Sequence, residues 1–356
     1  MLLFKKGGKQ YMNGLWAMVS AILAFGITFI LGKWMIPFLH RIKYGQTILE
    51  IGPSWHKKKQ GTPTMGGIMF IIGIIASILI SVPLYYASSS MMGLKVMETP
   101  ITSLKVFVGL GMAFFYGLVG FIDDYIKVVK KQNQGLSARQ KLVMQFLIVS
   151  IYLFIIYVLE SSHGSRDMTV IKLPIFGSVD FGILYWPIMA VIIVGIVNAV
   201  NLNDGIDGLC GSVTFFVGIF FMVIASMLGM YGFSIEAAAM AGGCLGFLMW
   251  NFNPAKVFMG DTGSLFLGGL ICALGTGMKQ YVILILMAAV YILEMFSVIL
   301  QVAYFKFTKG KRLFKMSPIH HHFEMCGWSE TKICFTFSLV TILCGIISLI
   351  MVASSR

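Results

Sequence analysis

The chain has 356 residues, of which 58% are hydrophobic and only 12% are charged. This composition excludes a soluble globular protein, because no compact core needs so much apolar surface. The formal net charge is +13, but the basic residues are spread over many loops, which favours lipid headgroups or an anionic substrate over nucleic acid as partners. The six cysteines form no C-x-x-C pair, so we expect small apolar fillers rather than disulfides or metal ligands.

Apolar runs long enough to cross a bilayer, roughly 20 residues each, recur along the whole chain. Since open strands cannot cross lipid, they predict an all-α polytopic integral membrane protein with about ten transmembrane helices, forming a single catalytic domain over residues 1–356. The first run is long enough to span, so no cleavable signal peptide is expected. The predicted spans are Trp16–Leu39, Gly66–Tyr86, Leu104–Ile122, Leu142–Leu159, Phe181–Val200, Leu209–Met230, Ala237–Asn251, Leu265–Met278, Tyr281–Phe305 and Ile333–Val352.

The distribution of Lys and Arg predicts the orientation of these spans. Connections after spans one, three, five, seven and nine hold 17 of the 27 basic residues, and the opposite side holds nine. The positive-inside rule therefore places the richer loops in the cytoplasm and both termini outside. The basic segment Met1–Gln10 argues for the other orientation.

The first loop on the richer side is basic and ends in glycines, His56–Gly67. Lys57–Lys59 could simply anchor a helix end at the headgroups. Alternatively the lysines face a phosphate, and Thr62–Gly67 allows the backbone to approach it closely where span two begins.

Span three ends in two adjacent carboxylates, Asp123 and Asp124. They repel one another and meet the unfavourable end of the helix dipole, so the pair needs a cation nearby. Lys127 one turn later could supply it as a salt bridge, which is a purely structural reading. A divalent metal, or a carboxylate acting as a base, is the alternative.

Two segments follow with different predicted roles. The connection Glu160–Asp180 alternates enough to predict a short extracytoplasmic β-hairpin without chemistry. Span five leads into Asn198–Gly211, which carries three asparagines and two aspartates with a glycine directly after each aspartate. Such a stretch suits either an ordinary turn or a site with close backbone approach.

Span seven has a face of small residues, Gly242, Gly243 and Gly246, which predicts close helix packing. Asp261 then precedes span eight, where it could cap the helix or bind a phosphate and its metal. Span nine contains Glu294, a candidate for function because it is an acid within the membrane, although a structural role is equally open.

Three consecutive histidines, His320–His322, follow span nine. On a helix they point in different directions, so at most two can serve one centre, and the spaced partners of a zinc site are missing. Imidazoles beside a phosphate-bearing substrate fit better. All five polar clusters, His56–Gly67, Asp123–Lys141, Asn198–Asp207, Asn251–Asp261 and His320–His322, follow odd-numbered spans and so should share one membrane face. Their chemistry predicts Mg²⁺-assisted reaction of a phosphorylated substrate at the headgroup level.

These residues also resemble a known family from one end of the chain to the other. The motifs that carry the resemblance are T-P-T-M-G-G (Thr62–Gly67), F-I-D-D-Y (Phe121–Tyr125), N-A-V-N-L-N-D-G-I-D-G-L (Asn198–Leu209), F-M-G-D-T-G-S (Phe258–Ser264) and P-I-H-H-H-F-E (Pro318–Glu324). The chain resembles the phospho-N-acetylmuramoyl-pentapeptide transferases, within the polyprenyl-phosphate N-acetylhexosamine-1-phosphate transferases. The histidine triplet with Thr62–Gly67 favours that branch over the N-acetylglucosamine-1-phosphate branches.

The resemblance implies a ten-helix fold, often dimeric, in the bacterial inner membrane with a cytoplasmic cleft. The implied reaction moves phospho-MurNAc-pentapeptide from UDP-MurNAc-pentapeptide to undecaprenyl phosphate, giving lipid I and UMP in peptidoglycan synthesis. Mg²⁺ is the implied cofactor, with Asp261 as its ligand, and Asp123 is favoured over Asp124 as the base for the lipid phosphate. The remaining implied residues are His321 and His322 at the catalytic centre, and Lys59, Lys127, Lys141, Asn198, Asn201, Asp204, Asp207, Asn251, Phe258 and His320 in substrate binding.

Two rival functions remain open at this stage. A sister enzyme would transfer GlcNAc-1-phosphate to a polyprenyl phosphate. A transporter would use intramembrane carboxylates, but transporter sites lie near the bilayer midplane and often accompany internal repeats. No repeat is evident, and the clusters lie at span ends. Whether the reaction proceeds in one step or through a covalent aspartyl intermediate stays undecided.

Overall fold

The computed structural model describes residues 2–41, 59–91, 100–130, 134–162, 164, 168–173 and 177–355. Within them the chain forms a helical bundle with one small sheet. The helices are α1 (Leu2–Arg41), α2 (Gly67–Met91), α3 (Pro100–Val129), α4 (Ala138–Ser162), α5 (Tyr185–Leu202), α6 (Leu209–Met227), α7 (Tyr231–Asn251), α8 (Gly260–Gly277), α9 (Tyr281–Met287), α10 (Ala289–Phe307), α11 (Ile319–Glu324) and α12 (Glu330–Ser354), and the strands are β1 (Val170–Leu173) and β2 (Gly177–Asp180).

The helices confirm the predicted all-α polytopic membrane protein. In the described residues, nine helices are long and apolar enough to cross a bilayer: α1 to α7, α10 and α12. Many large apolar side chains on their outer faces are exposed, for example Trp34 and Phe154. A helix satisfies its own backbone hydrogen bonds, so such faces are stable against lipid.

The eighth and ninth predicted spans differ from the prediction. The eighth corresponds to α8, which is not among the helices apolar enough to cross a bilayer and which carries six glycines and Asp261 in its 18 residues. Every residue of α8 from Thr262 to Gly277 is buried. A helix that is enclosed by other helices needs small residues for close packing, and it has no outer face that must be apolar. The ninth is interrupted at Ala288, which separates α9 from α10.

Small residues produce the close helix contacts that the sequence predicts for α7. A Cβ on Gly242 would collide with the carbonyl of Ala21 in α1, and one on Gly246 would lie 2.7 Å from the Phe25 carbonyl oxygen. The glycine face of α7 therefore packs directly on the backbone of α1, as in small-residue interfaces of membrane helices.

The β-hairpin and the polar loops lie at opposite ends of α5. Strands β1 and β2 pair antiparallel, with Val170 opposite Asp180, which confirms the predicted hairpin just before α5 begins. At the far end of α5, Asn201 contacts the start of α8, which itself contacts the end of α3, and the following turn of residues 203–208 contacts the start of α12. The structure thus gathers the described polar clusters at one end of the bundle.

Candidate active site

Three carboxylates form the core of the site, and we call Asp123, Asp124 and Asp261 the carboxylate centre. Asp123 and Asp124 lie in the last turns of α3, and Asp261 is the second residue of α8. One oxygen from each lies within 4.8 Å of the others. Gly120 permits this approach, because a Cβ there would collide with the Asp261 carbonyl.

Two lysines contact the carboxylate centre. The Lys127 ammonium lies 2.6 Å from Asp123 Oδ2 and 3.0 Å from Asp261 Oδ2. The Lys141 ammonium, from α4, lies 2.7 Å from Asp261 Oδ2. The salt bridge expected from Lys127 is therefore present, but it is shared between α3 and α8. Among the described residues, three carboxylates face two ammonium groups, which gives the centre a formal excess of one negative charge.

The second aspartate of the pair is offset mainly by a helix terminus, since the nearest Lys127 contact to it is 3.9 Å long. Asp124 Oδ2 accepts hydrogen bonds from Thr262 N at 2.9 Å and Thr262 Oγ1 at 2.7 Å. Its other oxygen accepts one from Asp261 N at 3.3 Å. These N–H groups open α8, where the helix dipole favours an anion. Asp124 therefore fixes α8 against α3, besides lining the centre.

Asp261 does not cap α8, so the capping alternative is wrong. The residue preceding the helix is Met259, and it makes no side-chain cap bond. The Asp261 carboxylate instead faces the lysines, while its Oδ1 accepts a hydrogen bond from Asn201 Nδ2 at 2.8 Å. The same amide contacts Ser264 Oγ at 2.8 Å. Asn201 thus connects the stretch Asn198–Gly211 to the carboxylate centre and orients Asp261.

The turn between α5 and α6, residues 203–208, holds the other two aspartates. The pKa of Asp204 is raised well above its ordinary value by burial and then by the charges of Asp261, Asp124 and Asp207, against a hydrogen bond from the Gly260 backbone. Asp204 is therefore close enough to the carboxylate centre to feel its field.

Asp207 is held on several sides within the same turn. Its Oδ1 lies 2.6 Å from the Lys59 ammonium, and its Oδ2 accepts hydrogen bonds from Ala255 N at 2.9 Å and Asn253 Nδ2 at 3.3 Å. Lys59 also contacts Glu330, whose Oε1 lies 2.6 Å away. Residues His56–Lys58 of the same basic loop lie outside the described residues.

Sequence reasoning missed Glu330 at this site. It follows Ser329, which caps α12 by accepting a hydrogen bond from Lys332 N. A serine followed by an acid is typical of an ordinary helix start, so the local pattern gives no sign of a distant partner. Its sequence separation from Lys59, 271 residues, can be bridged only by the tertiary fold.

Asn198 and Asn251 are occupied by structural hydrogen bonds. Asn198 Nδ2 donates to Gln145 Oε1 at 2.7 Å, which joins α5 to α4. Asn251 accepts from Gly208 N at 3.1 Å and donates to the Val257 carbonyl at 2.9 Å, so it ties the turn to the α7–α8 loop. Their direct contact with substrate remains a prediction.

Phe258 holds the segment before α2 against the α7–α8 loop. Its N–H donates to the Pro63 carbonyl at 2.8 Å, and its carbonyl accepts from Gly66 N at 2.8 Å. The motif Thr62–Gly67 therefore serves first as a backbone partner of the loop that delivers Asp261. The Phe258 ring is partly exposed, so stacking on a substrate stays a prediction.

The three histidines point to three different partners. His320 is fully buried, with Nδ1 3.0 Å from Glu294 Oε1, and a Cβ on Gly205 would collide with its ring. His321 Nδ1 lies 2.6 Å from Glu324 Oε2, and His322 Nδ1 accepts a hydrogen bond from Lys315 N at 3.1 Å. The divergence predicted for consecutive helical positions is confirmed. The structure also gives the intramembrane acid Glu294 a partner that the sequence did not reveal.

The carboxylate centre has the chemistry to hold a divalent cation. Carboxylate oxygens are the ligands that Mg²⁺ prefers, and three of them converge here with negative charge in excess of the two lysines. Asp261 and Asp123 are the more suitable ligands, because a cation can replace their contacts with lysine. Asp124 is less suitable, since backbone N–H groups at the start of α8 already hold both of its oxygens.

Comparison with known proteins agrees with this geometry. Residues 106–279 match the family model for glycosyl transferase family 4, and residues 59–71 match the first signature of phospho-N-acetylmuramoyl-pentapeptide-transferases. A protein of that name from Heliobacterium modesticaldum is 44% identical over 92% of this chain and 95% of its own. The Clostridioides difficile protein of the same name is 42% identical over 94% of this chain and 97% of its own.

Proposed function

The chain belongs to the phospho-N-acetylmuramoyl-pentapeptide transferases, and we propose that it catalyses the following reaction at the carboxylate centre. In that reaction phospho-MurNAc-pentapeptide passes from UDP-MurNAc-pentapeptide to undecaprenyl phosphate, giving lipid I and UMP. The observation that carries the proposal is the meeting of three carboxylates and two lysines from α3, α4 and α8 at one end of a membrane bundle. An enzyme joining a soluble and a lipid substrate needs its polar site at such an end.

We place the site on the cytoplasmic face of the bacterial inner membrane. The loops at this end belong to the set that holds 17 of the 27 basic residues, and basic loops remain in the cytoplasm. The nucleotide sugar is a cytoplasmic substrate in the proposed reaction, which requires the same orientation.

Mg²⁺ is the proposed cofactor, with Asp261 as its ligand and Asp123 and Asp124 beside it. When bound, it would offset negative charge on the substrate's phosphates, which otherwise repel the lipid phosphate. Lys127 and Lys141 already lie within 3.0 Å of Asp261 and add two positive charges at the same place. Their ammonium groups can hold phosphate oxygens in line for the transfer.

Asp123 is our candidate for the base that receives a proton from the lipid phosphate. Leu136 N donates to its Oδ1 at 2.8 Å, and Lys127 lies 2.6 Å from its Oδ2, so the carboxylate is held in one orientation. The turn with Asp204 and Asp207, together with Lys59, would bind the uridine side of the substrate. A direct attack and a covalent aspartyl intermediate both use these groups.

The test is UMP release by the purified protein in detergent with undecaprenyl phosphate and Mg²⁺. Parallel reactions receive UDP-MurNAc-pentapeptide or UDP-GlcNAc. We expect UMP only from the muramoyl substrate. UMP from UDP-GlcNAc alone would establish the sister transferase instead. Substrate flux through proteoliposomes without UMP would establish a transporter.

A further inference from the structure

Glu330, the first residue of α12, contacts both Lys59 and the backbone of the turn that carries Asp207. We propose that it is a positioning residue that fixes Lys59 and the Asp207 backbone for the nucleotide part of the substrate. The inference rests on the proposed function, because it assigns a task within the same site.

The contacts of Glu330 use both of its carboxylate oxygens. Oε1 lies 2.6 Å from the Lys59 ammonium, and Oε2 lies 2.7 Å from it and accepts a hydrogen bond from Asp207 N at 2.9 Å. The Glu330 side chain is 11% exposed, so these charged contacts are shielded from water and strengthened. One carboxylate thereby orients a lysine and a peptide group at once.

A second contact from α12 holds the other side of the same residue. Cys334, one turn after Glu330, directs its thiol at the Asp207 carbonyl at 3.2 Å. The first turn of α12 therefore contacts both the N–H and the C=O of Asp207. Ala255 N, on the α7–α8 loop, holds its side chain. This residue cannot rotate without breaking contacts to two other elements.

Lys59 remains able to bind a substrate while it is held in this way. An ammonium group has three donors, and one oxygen of Asp207 and both oxygens of Glu330 lie within 2.7 Å of it, so a substrate oxygen would replace one of the two Glu330 contacts. Its side chain is 18% exposed, so a substrate oxygen can reach it. Without the Glu330 charge, Asp207 would be the remaining described carboxylate that pairs with Lys59, and Asp207 N would keep at most a neutral acceptor. The Lys59 ammonium and the turn of residues 203–208 would then no longer be held at a fixed distance from each other. This weakens ground-state binding of the nucleotide.

The test compares Glu330→Gln with the wild type in the UMP-release assay. Glutamine keeps the size but removes the charge, and we expect the KM for UDP-MurNAc-pentapeptide to rise about tenfold, the scale of a lost charged hydrogen bond. The kcat and the KM for undecaprenyl phosphate should stay within about twofold, because the carboxylate centre is untouched. A double variant with Lys59→Gln and Glu330→Gln should have nearly the same nucleotide KM as Lys59→Gln alone, as expected for residues that act through one another.

Controls separate positioning from general stability. Asp180→Asn changes an acid at the hairpin, at the opposite end of α5, and should leave all three constants unchanged. Cys334→Ala keeps every charge and should raise the nucleotide KM about fourfold, so it tests the positioning role even if Glu330→Gln fails to fold.

The possible results separate a failure of the proposed function from a failure of the positioning role of Glu330. Absence of UMP release by the wild type would contradict the proposed function. If the wild type is active and Glu330→Gln has an unchanged nucleotide KM, the positioning role alone is overturned. The same holds if Glu330→Gln lowers kcat and raises both KM values to a similar extent. If Glu330→Gln does not fold, an unchanged nucleotide KM in Cys334→Ala would overturn it.

Discussion

The two ends of the bundle both carry buried ionic clusters, but their charges are arranged differently. At the hairpin end, Glu160 lies between two lysines: it is paired with Lys105, and its Oε2 lies 2.8 Å from the Lys279 ammonium. At the site end, within the described part of the chain, three carboxylates face Lys127 and Lys141. Two more acids there, Asp207 and Glu330, share Lys59.

The comparison shows which kind of cluster can accept a cation. A carboxylate between two ammonium groups is already neutralised, so it serves to join helices, here α3, α4 and the α8–α9 connection. A cluster with more carboxylates than lysines keeps negative charge in a shielded place, which favours a divalent ion or the positive end of a helix. We therefore assign chemistry to the site end of the bundle and the joining of helices to the hairpin end.

The largest expected effect comes from Asp261→Asn. The amide keeps the shape but loses the charge that a metal needs, so turnover should fall by about a thousandfold or more. The melting temperature should change little, because Lys127 keeps its contact with Asp123 and the change relieves repulsion among the three carboxylates. UMP release and a thermal melt check this. Near-normal turnover at ordinary Mg²⁺ would remove Asp261 from the proposed metal site.

A smaller effect is expected from Lys141→Gln, which should slow turnover but strengthen binding of the cation. The Lys141 ammonium lies 2.7 Å from Asp261 Oδ2, so it competes with a cation for the same carboxylate. Removing its charge should lower kcat about tenfold but lower the Mg²⁺ concentration for half-maximal activity severalfold. A Mg²⁺ titration of UMP release measures both. A raised Mg²⁺ requirement would show that Lys141 supports the ion rather than competing with it.

The smallest effect on turnover is expected from Glu160→Gln at the hairpin end. It leaves two lysines without their shared carboxylate, which should cost about 3 kcal/mol of folding stability. The melting temperature should therefore fall, while turnover per folded molecule stays within about twofold of the wild type. Loss of turnover in a protein that remains folded would break the contrast between the two ends.

The sequence was sufficient for the helical architecture, and its resemblance to a known family was needed to group Asp261 with Asp123 and Asp124. Ten apolar runs predicted the bundle, and the odd-numbered position of every polar loop predicted that Asp123 and Asp261 share one end. Charge repulsion between Asp123 and Asp124 correctly required a cation, and Lys127 occupies that position. These predictions succeed because span length and span parity depend on local sequence alone.

The partners across the bundle could not be predicted in the same way. Span parity tells which end a loop occupies, but not which helices are neighbours at that end. The pairs Lys59–Glu330 and Glu294–His320 depend on that neighbourhood. The enclosed position of α8 depends on it too, and a glycine-rich run gives no sign of being surrounded. Only the packed structure shows that Asp124 is offset by a helix terminus.

Direct binding of Mn²⁺, followed by electron paramagnetic resonance on the purified protein, tests the central claim without any turnover. Mn²⁺ takes the same oxygen ligands as Mg²⁺ and its free-ion signal falls when it binds. The account predicts binding by the wild type, by Asp180→Asn and by Glu160→Gln, and loss of binding in Asp261→Asn. Equal binding by Asp261→Asn, or no binding by the wild type, would contradict a cation site at the carboxylate centre.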